Sequence, residues 1–373
     1  MVVITEKTPR MATDKKNNKT LCGYGWSDVY STLNRSIANG DMKRSQRWAA
    51  EMLCSETGVS RLEALLLSIW ADNVGSSLAR WPDIWLTGIA TLRNEWIKSG
   101  GDNQVFRNNE GIRNIIAECV AYLVVSAKHP RPSLPKSTDV FKEAETVKTR
   151  LHSGGAAPDQ ISTQRIWDSR EDAPTLRTLG NELESAIRTA QTPRALFWLV
   201  WILTLDSQKN RPIMKERAPT HIQGKSRKNL AWFIFTLLND MIQHGLDTSG
   251  CLNQTMECIK ITWIRLGAKN RREVLGTVIT MLCERVKSQS FETRKPQECL
   301  DMRPVRTAIQ DINTVYDEIA NDMKIVPEHV ITKAPGSKKD KKKNEIIAIE
   351  SSNAKMDKAY EVLRKLYGMD DED

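Results

Sequence analysis

Apolar residues recur along this chain every three or four positions, which is the spacing of one helix face. After Gly23, Ser27 is placed to cap a helix through Val29, Tyr30, Leu33 and Ile37 that stops at Asn39-Gly40. Asp41 caps a second, with Trp48, Ala49, Met52 and Leu53 on one face, ending near Gly58. Ser60 opens a third through Leu62, Leu65, Leu66, Ile69 and Trp70, ending near Gly75. Trp81-Pro82 starts a fourth through Ile84, Trp85, Ile89, Leu92 and Trp96, halted by Gly100-Gly101. Residues 110–127 form a fifth on Ile112, Ile115, Ile116, Cys119, Val120, Leu123 and Val124. Short helices joined by short loops stack as antiparallel pairs.

His129-Pro130-Arg131-Pro132-Ser133-Leu134-Pro135 breaks the pattern, because each proline removes an amide donor and restricts the residue before it. A helix is expected at 138–151. Residues 152–175, with Gly154-Gly155, Pro158 and Pro174, read as a linker. Helical spacing then returns most strongly at 193–206, 227–243, 253–266, 271–287 and 304–324. Period-two alternation is scarce. The chain therefore reads as all-α. It has a disordered basic arm (1–22), a helical domain (23–151), the linker (152–175) and a second helical domain (176–331). A Lys-rich linker (332–344) and a detached C-terminal helix with an acidic tail (345–373) complete it. In that last helix, Ile346, Ile349, Met356, Ala359, Tyr360, Leu363 and Leu366 share one face over 345–367, which suits docking on a protein partner as well as on its own domain.

Composition narrows the class. The chain has 373 residues, 40% of them hydrophobic and 27% charged, so collagen, a wholly disordered chain and a disulfide scaffold are all excluded. The most apolar run, Ala195 to Leu205, is roughly half the length of a membrane span and reads as a core helix. Seven cysteines form no C-x-x-C pair and mostly sit among apolar neighbours, as in Met52-Leu53-Cys54, so buried thiols in a reducing compartment are expected. Met1 to Lys19 carries no apolar run of the kind a secretory signal needs. An intracellular location, cytoplasmic or nuclear and not membrane-bound, follows. Eleven Trp nearly match Phe and Tyr combined. Most lie inside apolar runs and read as core, and only Trp81 and Trp263 are partial candidates for stacking on bases.

No P-loop, dinucleotide fingerprint, H-E-x-x-H or nucleophile elbow is encoded. His244, Cys251 and Cys258 recur at seven-residue spacing, but Gly245 and Gly250 interrupt any shared helix. The five histidines carry no local catalytic signature, and Glu182 and Glu184 read as exposed. No enzyme activity, metal or cofactor is expected.

The formal charge of +9 is concentrated. Residues 208–228 hold Lys209, Arg211, Lys215, Arg217, Lys225, Arg227 and Lys228 against Glu216 alone. Arg265, Lys269, Arg271 and Arg272 follow without an acid, and 333–343 hold six lysines against Asp340. Clusters of this kind attract polyanions, nucleic acid first. In the central loop, Ser226 is placed to cap the next helix, whose N-terminal amides favour an anion, and Gly224 leaves room for a phosphate. The candidate nucleic-acid-binding residues are Lys209, Arg211, Lys215, Arg217, Lys225, Arg227, Lys228, Arg271 and Arg272. The alternative is a structural assembly protein, a virion or large-complex component, whose basic tails pack against acidic neighbours.

Three short motifs add a resemblance. Arg47-Trp48-Ala49-Ala50, then Ala71-Asp72-Asn73-Val74-Gly75, then Ala121-Tyr122-Leu123-Val124-Val125-Ser126-Ala127-Lys128 stand in order within residues 24–145. That stretch resembles the C-terminal helical collar of the clamp-loader-like AAA+ proteins of the MgsA/RarA type. It departs from them at Asp72-Asn73 and Lys128-His129, and the ATPase module is absent. The resemblance implies an oligomerising collar near DNA replication or recombination machinery, without catalysis. Together, these readings point to a non-catalytic nucleic-acid-binding accessory or scaffold protein.

Overall fold

The computed structural model describes residues 19–55, 58–129, 131–137, 151, 157–208, 211–247, 250–288 and 293–322. Fifteen α-helices occur among them, and the sole strand-like pairing is an isolated antiparallel bridge between Lys19 and Gly25. The expected helix at 138–151 (but for Leu151), most of the N-terminal arm, and everything after Asp322 lie outside the described residues.

The first group is α1 (Trp26–Ala38), α2 (Met42–Cys54), α3 (Gly58–Asn73), α4 (Trp81–Lys98), the short α5 (Asn103–Arg107) and α6 (Glu110–Val125). Asp41 caps α2 by accepting the Arg44 N–H, as its position suggested. Ser27 does not cap α1, which begins one residue earlier behind Gly25. At the end of α6 the Lys128 ammonium donates to the carbonyls of Leu123, Val124 and Ser126, satisfying acceptors that no helical turn follows. Burial there pushes the Lys128 ammonium down to about 8.

The second group comprises α7 (Ile161–Ile166), α8 (Pro174–Arg188), α9 (Thr192–Leu205), α10 (Ala231–Met241), α11 (Cys251–Thr262) and α12 (Ala268–Ser288). It continues with α13 (Pro296–Cys299), α14 (Met302–Gln310) and α15 (Ile312–Asp322). The periodic run at 304–324 is thus two helices, broken at Asp311. Pro193 sits in the first turn of α9, where its missing N–H costs nothing. Behind it, the apolar run from Ala195 is a core helix, with Trp198, Leu199, Val200, Trp201 and Ile202 fully buried. Each such side chain contributes about 1.5–3 kcal/mol on leaving water, an upper bound since the unfolded chain already buries part of it.

Both groups share one contiguous core. The α12 helix packs on α3 as well as on α9, α11 packs on α4, and α14 and α15 close over α6 and α2. The described part of the expected linker, residues 157–175, is tied to α8, with Ile166 and Trp167 packed against the core. Ser162 and Thr163 are fully buried. Their amides donate to Glu184 on α8 at 3.1 and 2.7 Å, and the Ala157 amide donates to Glu182 at 2.8 Å. Glu182 and Glu184, which read as exposed from sequence, are therefore buried anchors, balanced by Arg194 and Arg188. Their exposed reading failed because the groups that satisfy them come from a segment some 20 residues upstream.

Seven tryptophans are fully enclosed, Trp81 and Trp263 among them, so neither offers a ring to a base. The indole N–H of Trp81 donates to the Cys119 carbonyl, and Trp263 lies 4.6 Å from Trp232. All seven cysteines are thiols, six of them buried. No described helix is long and apolar enough to cross a membrane.

Candidate nucleic-acid interface

The chain leaves the core at the end of α9, runs through the basic loop, and re-enters at α10. Hydrophobic runs at both ends hold it: Leu205 and Leu230 are buried, and Ile222 within the loop is buried as well. A five-residue 3₁₀ turn, Gly224–Lys228, leads into α10.

The N-terminus of α10 already holds an anion. The Leu230 N–H donates to Asp206 Oδ1 at 2.9 Å, and the Ala231 N–H donates to the Asn229 side chain. Ser226 does not cap the helix; its carbonyl accepts the Trp232 indole N–H instead. The site read as a phosphate cradle is thus filled by the protein's own carboxylate. Burial pushes the Asp206 carboxyl up, while the Leu230 amide and the guanidiniums of Arg211 and Arg271 pull the other way.

Asp206 also feels two charge runs far apart in sequence, Arg211 in contact and Arg271 through its field. Arg211 reaches its Oδ1 at 3.3 Å. Arg271 folds back from the start of α12, donates twice to the Trp263 carbonyl at 3.0 and 2.8 Å, and stacks 4.7 Å from the Trp263 ring centroid. Arg272 turns away and donates to Ser137.

The other loop cations are answered by carboxylates outside the basic run or inside it. Lys215 bridges to Asp168 at 2.7 Å and Glu171 at 3.3 Å. Arg217 pairs with Asp172; both side chains are buried, and the guanidinium lies over Phe233. Burial pushes the Asp172 carboxyl up, but the Arg217 fork and the amides of Asp168 and Lys215 outweigh it and hold it below the ordinary aspartate value. Arg227 pairs with Glu216 and donates to the carbonyls of Thr220 and Ile222. Lys228 is exposed. Lys209 lies outside the described residues, and Lys225 belongs to the 3₁₀ turn.

Four described cations, Arg211, Lys215, Arg217 and Arg227, thus meet five carboxylates. Counting charge along the sequence missed this, because Asp168, Glu171 and Asp172 come from the stretch read as a linker. The signal was present there: three acids in five residues, facing a chain of opposite excess. Arg211 and Arg271 still keep N–H donors beyond those engaged, since a guanidinium carries five.

The motif residues of the collar resemblance lie apart from this loop. Arg47 pairs with Glu51 and with Asp322 on α15. Asn73 and His129 meet where α3 and α6 end, the His129 N–H donating to the Asn73 carbonyl at 2.7 Å. Arg131 spans Glu273 at 2.9 Å and Asp72 at 3.6 Å. No group of three His, Cys, Asp or Glu side chains stands at metal-binding spacing among the described residues. In comparison with known proteins, no family model, no curated protein and no solved structure matches this chain.

Proposed function

We propose that the chain is a non-catalytic accessory or scaffold protein that binds the backbone of nucleic acid, with DNA replication or recombination as the setting the collar resemblance implies. The observation that supports it is that Asp206 pairs with Arg211 and also lies within electrostatic reach of Arg271. This supports treating the basic loop and the start of α12 as one binding region, with guanidiniums that keep donors to spare. This reading also assigns Lys209, Lys225 and Lys228 to the ligand.

A salt titration of binding to a 20-nucleotide single-stranded DNA, its duplex and the matching RNA tests this. Each phosphate neutralised contributes about 0.7 to 0.9 to the slope of log affinity against log salt. The K225E/K228E variant is expected to weaken binding to every sequence and to flatten the slope by one to two such increments. Unchanged affinity and slope sink the reading.

A structural assembly protein is the second reading, and one observation favours it: the loop's cations are almost matched by the chain's own carboxylates. Light scattering on the same samples separates the two. Salt-sensitive binding by a small species supports the first, and a large assembly without such binding supports the second.

A further inference from the structure

Away from the basic loop, one buried carboxylate is shared by two arginines. Glu63 lies in the second turn of α3 with 2% of its surface exposed. An ionised carboxylate at that depth needs partners. Arg93, from α4, meets it as a fork, with Nε to Oε1 at 3.2 Å and Nη2 to Oε2 at 2.8 Å. Arg265, from the turn after α11, adds Nη1 to Oε2 at 2.6 Å. Three separate elements therefore fix two guanidiniums about a single negative charge.

The balance here differs from that in the loop. Arg211, Arg217 and Arg227 each meet a carboxylate of their own, whereas Glu63 answers two cations and leaves one in excess. Burial and the facing Arg93 both disfavour the charged form of Arg265, and Glu63 alone opposes them. The two side chains are 33% and 38% exposed, so the forks open to solvent. Among the described residues, Arg93 Nη1 and the Nε and Nη2 of Arg265 donate to nothing else. Planar donors held at fixed angles around an unbalanced charge match the oxygens of a phosphate. Ile264, beside Arg265, is 59% exposed and offers an apolar edge, which suits a nucleotide's sugar better than a bare ion.

We infer that Arg93 and Arg265, braced by Glu63, form a phosphodiester-binding position for the nucleic-acid backbone. It rests on the nucleic-acid reading and extends it. Arg265 and Arg271 flank the same turn, six residues apart, so their Cα atoms stand at most roughly 20 Å from one another. Arg271 in turn lies within electrostatic reach of Asp206 beside the basic loop. A backbone leaving the loop thus meets the Glu63-braced pair within a few nucleotides.

The test measures binding of a fluorescein-labelled 20-nucleotide DNA to the full chain and to R265Q, R265K and K225E/K228E, with inorganic phosphate as competitor. R265Q is expected to bind about tenfold more weakly, with its salt slope reduced by about one phosphate. R265K, which keeps the charge and loses the fork, is expected to bind about threefold more weakly at unchanged slope. Should R265Q fail to fold, the R265K affinity decides, and a wild-type value overturns the inference. Loss of binding in K225E/K228E with wild-type affinity in R265Q overturns the inference and leaves the nucleic-acid reading intact. No binding by the wild-type chain overturns both. Competition by inorganic phosphate at millimolar concentration that is abolished in R265Q identifies a free-phosphate site and overturns the backbone assignment.

Discussion

Asp206 closes the N-terminus of α10 by accepting the Leu230 N–H at 2.9 Å, and in doing so places a carboxylate against Arg211 and within electrostatic reach of Arg271. A helix N-terminus flanked by guanidiniums is otherwise an anion site. The carboxylate therefore competes with any phosphate approaching this surface.

The D206N variant follows from that competition. Asparagine retains an oxygen to accept the Leu230 amide and removes the charge. Because burial disfavours the ionised form of Asp206, its loss is expected to leave stability at pH 7 within about 1 kcal/mol of wild type. DNA affinity is expected to rise at least threefold, with a steeper salt slope as Arg211 and Arg271 turn to phosphate. Weaker binding by a folded D206N would show that Asp206 positions the arginines and does not oppose the ligand.

Arg217 and Asp172 make the opposite case. Both are buried, and each satisfies the other. Truncating one leaves an uncompensated charge, so R217A is expected to cost about 3–5 kcal/mol in urea unfolding at pH 7. The pH dependence has a definite sign. Asp172 is held below its unfolded value, so its contribution is present at neutral pH and is lost as pH falls below about 4. The D172N protein should lack that part of the acid-side loss, and an acid limb identical to wild type contradicts the assignment.

How much of this could be read in advance depends on how local each cause is. The helices were legible because Val29, Leu33 and Ile37, or Trp81, Trp85, Ile89 and Leu92, set a period that only a helix buries, and all seven residues are buried. The basic loop was located correctly, but its electrostatic state was not. The partners of Lys215 and Arg217 lie more than 40 residues upstream, and a charge tally along the sequence counts only neighbours. Trp263 is likewise hidden by Trp232, which stands 31 residues away in sequence. The Glu63 pair had no signal at all, since Arg93 and Arg265 stand 30 and 202 residues away.

Glu184 tests whether residues 157–166 are as firmly held as their bonds suggest. Its buried carboxylate takes the amides of Ser162 and Thr163, the Thr163 hydroxyl and the half-buried Arg188 guanidinium. E184A strands those donors and is expected to cost about 3 kcal/mol or more. Hydrogen exchange should show protection lost at residues 161–166 first, before α8 itself opens. Uniform loss across the chain would mean that α7 is no separable unit.

The turn between α8 and α9 carries the one described non-glycine residue at positive φ, Ala190 at 53°. It follows the end of α8, where the Gln191 N–H reaches back to the Ala186 carbonyl at 2.8 Å and the Ala190 N–H to Ile187 at 2.9 Å. That bond pair is the helix-ending arrangement in which glycine is favoured, because a Cβ crowds the following carbonyl in this conformation. A190G removes the crowding but also frees the unfolded chain, and the two effects oppose. The crowding term, about 1–2 kcal/mol, exceeds the entropic one of about 0.4–1 kcal/mol, so a net gain of roughly 0.5–1 kcal/mol is expected. The contrasting change sits ten residues earlier. A Cβ at Gly180 would stand 2.8 Å from Thr163 Cγ2 and 3.0 Å from Phe233 Cζ, so G180A overpacks the contact of α8 with α7 and α10. It is expected to cost about 1–3 kcal/mol despite alanine's better helix propensity. Thermal melts of the two variants beside wild type should bracket it, A190G above and G180A below. A destabilised A190G would mean that this turn has a different backbone in solution.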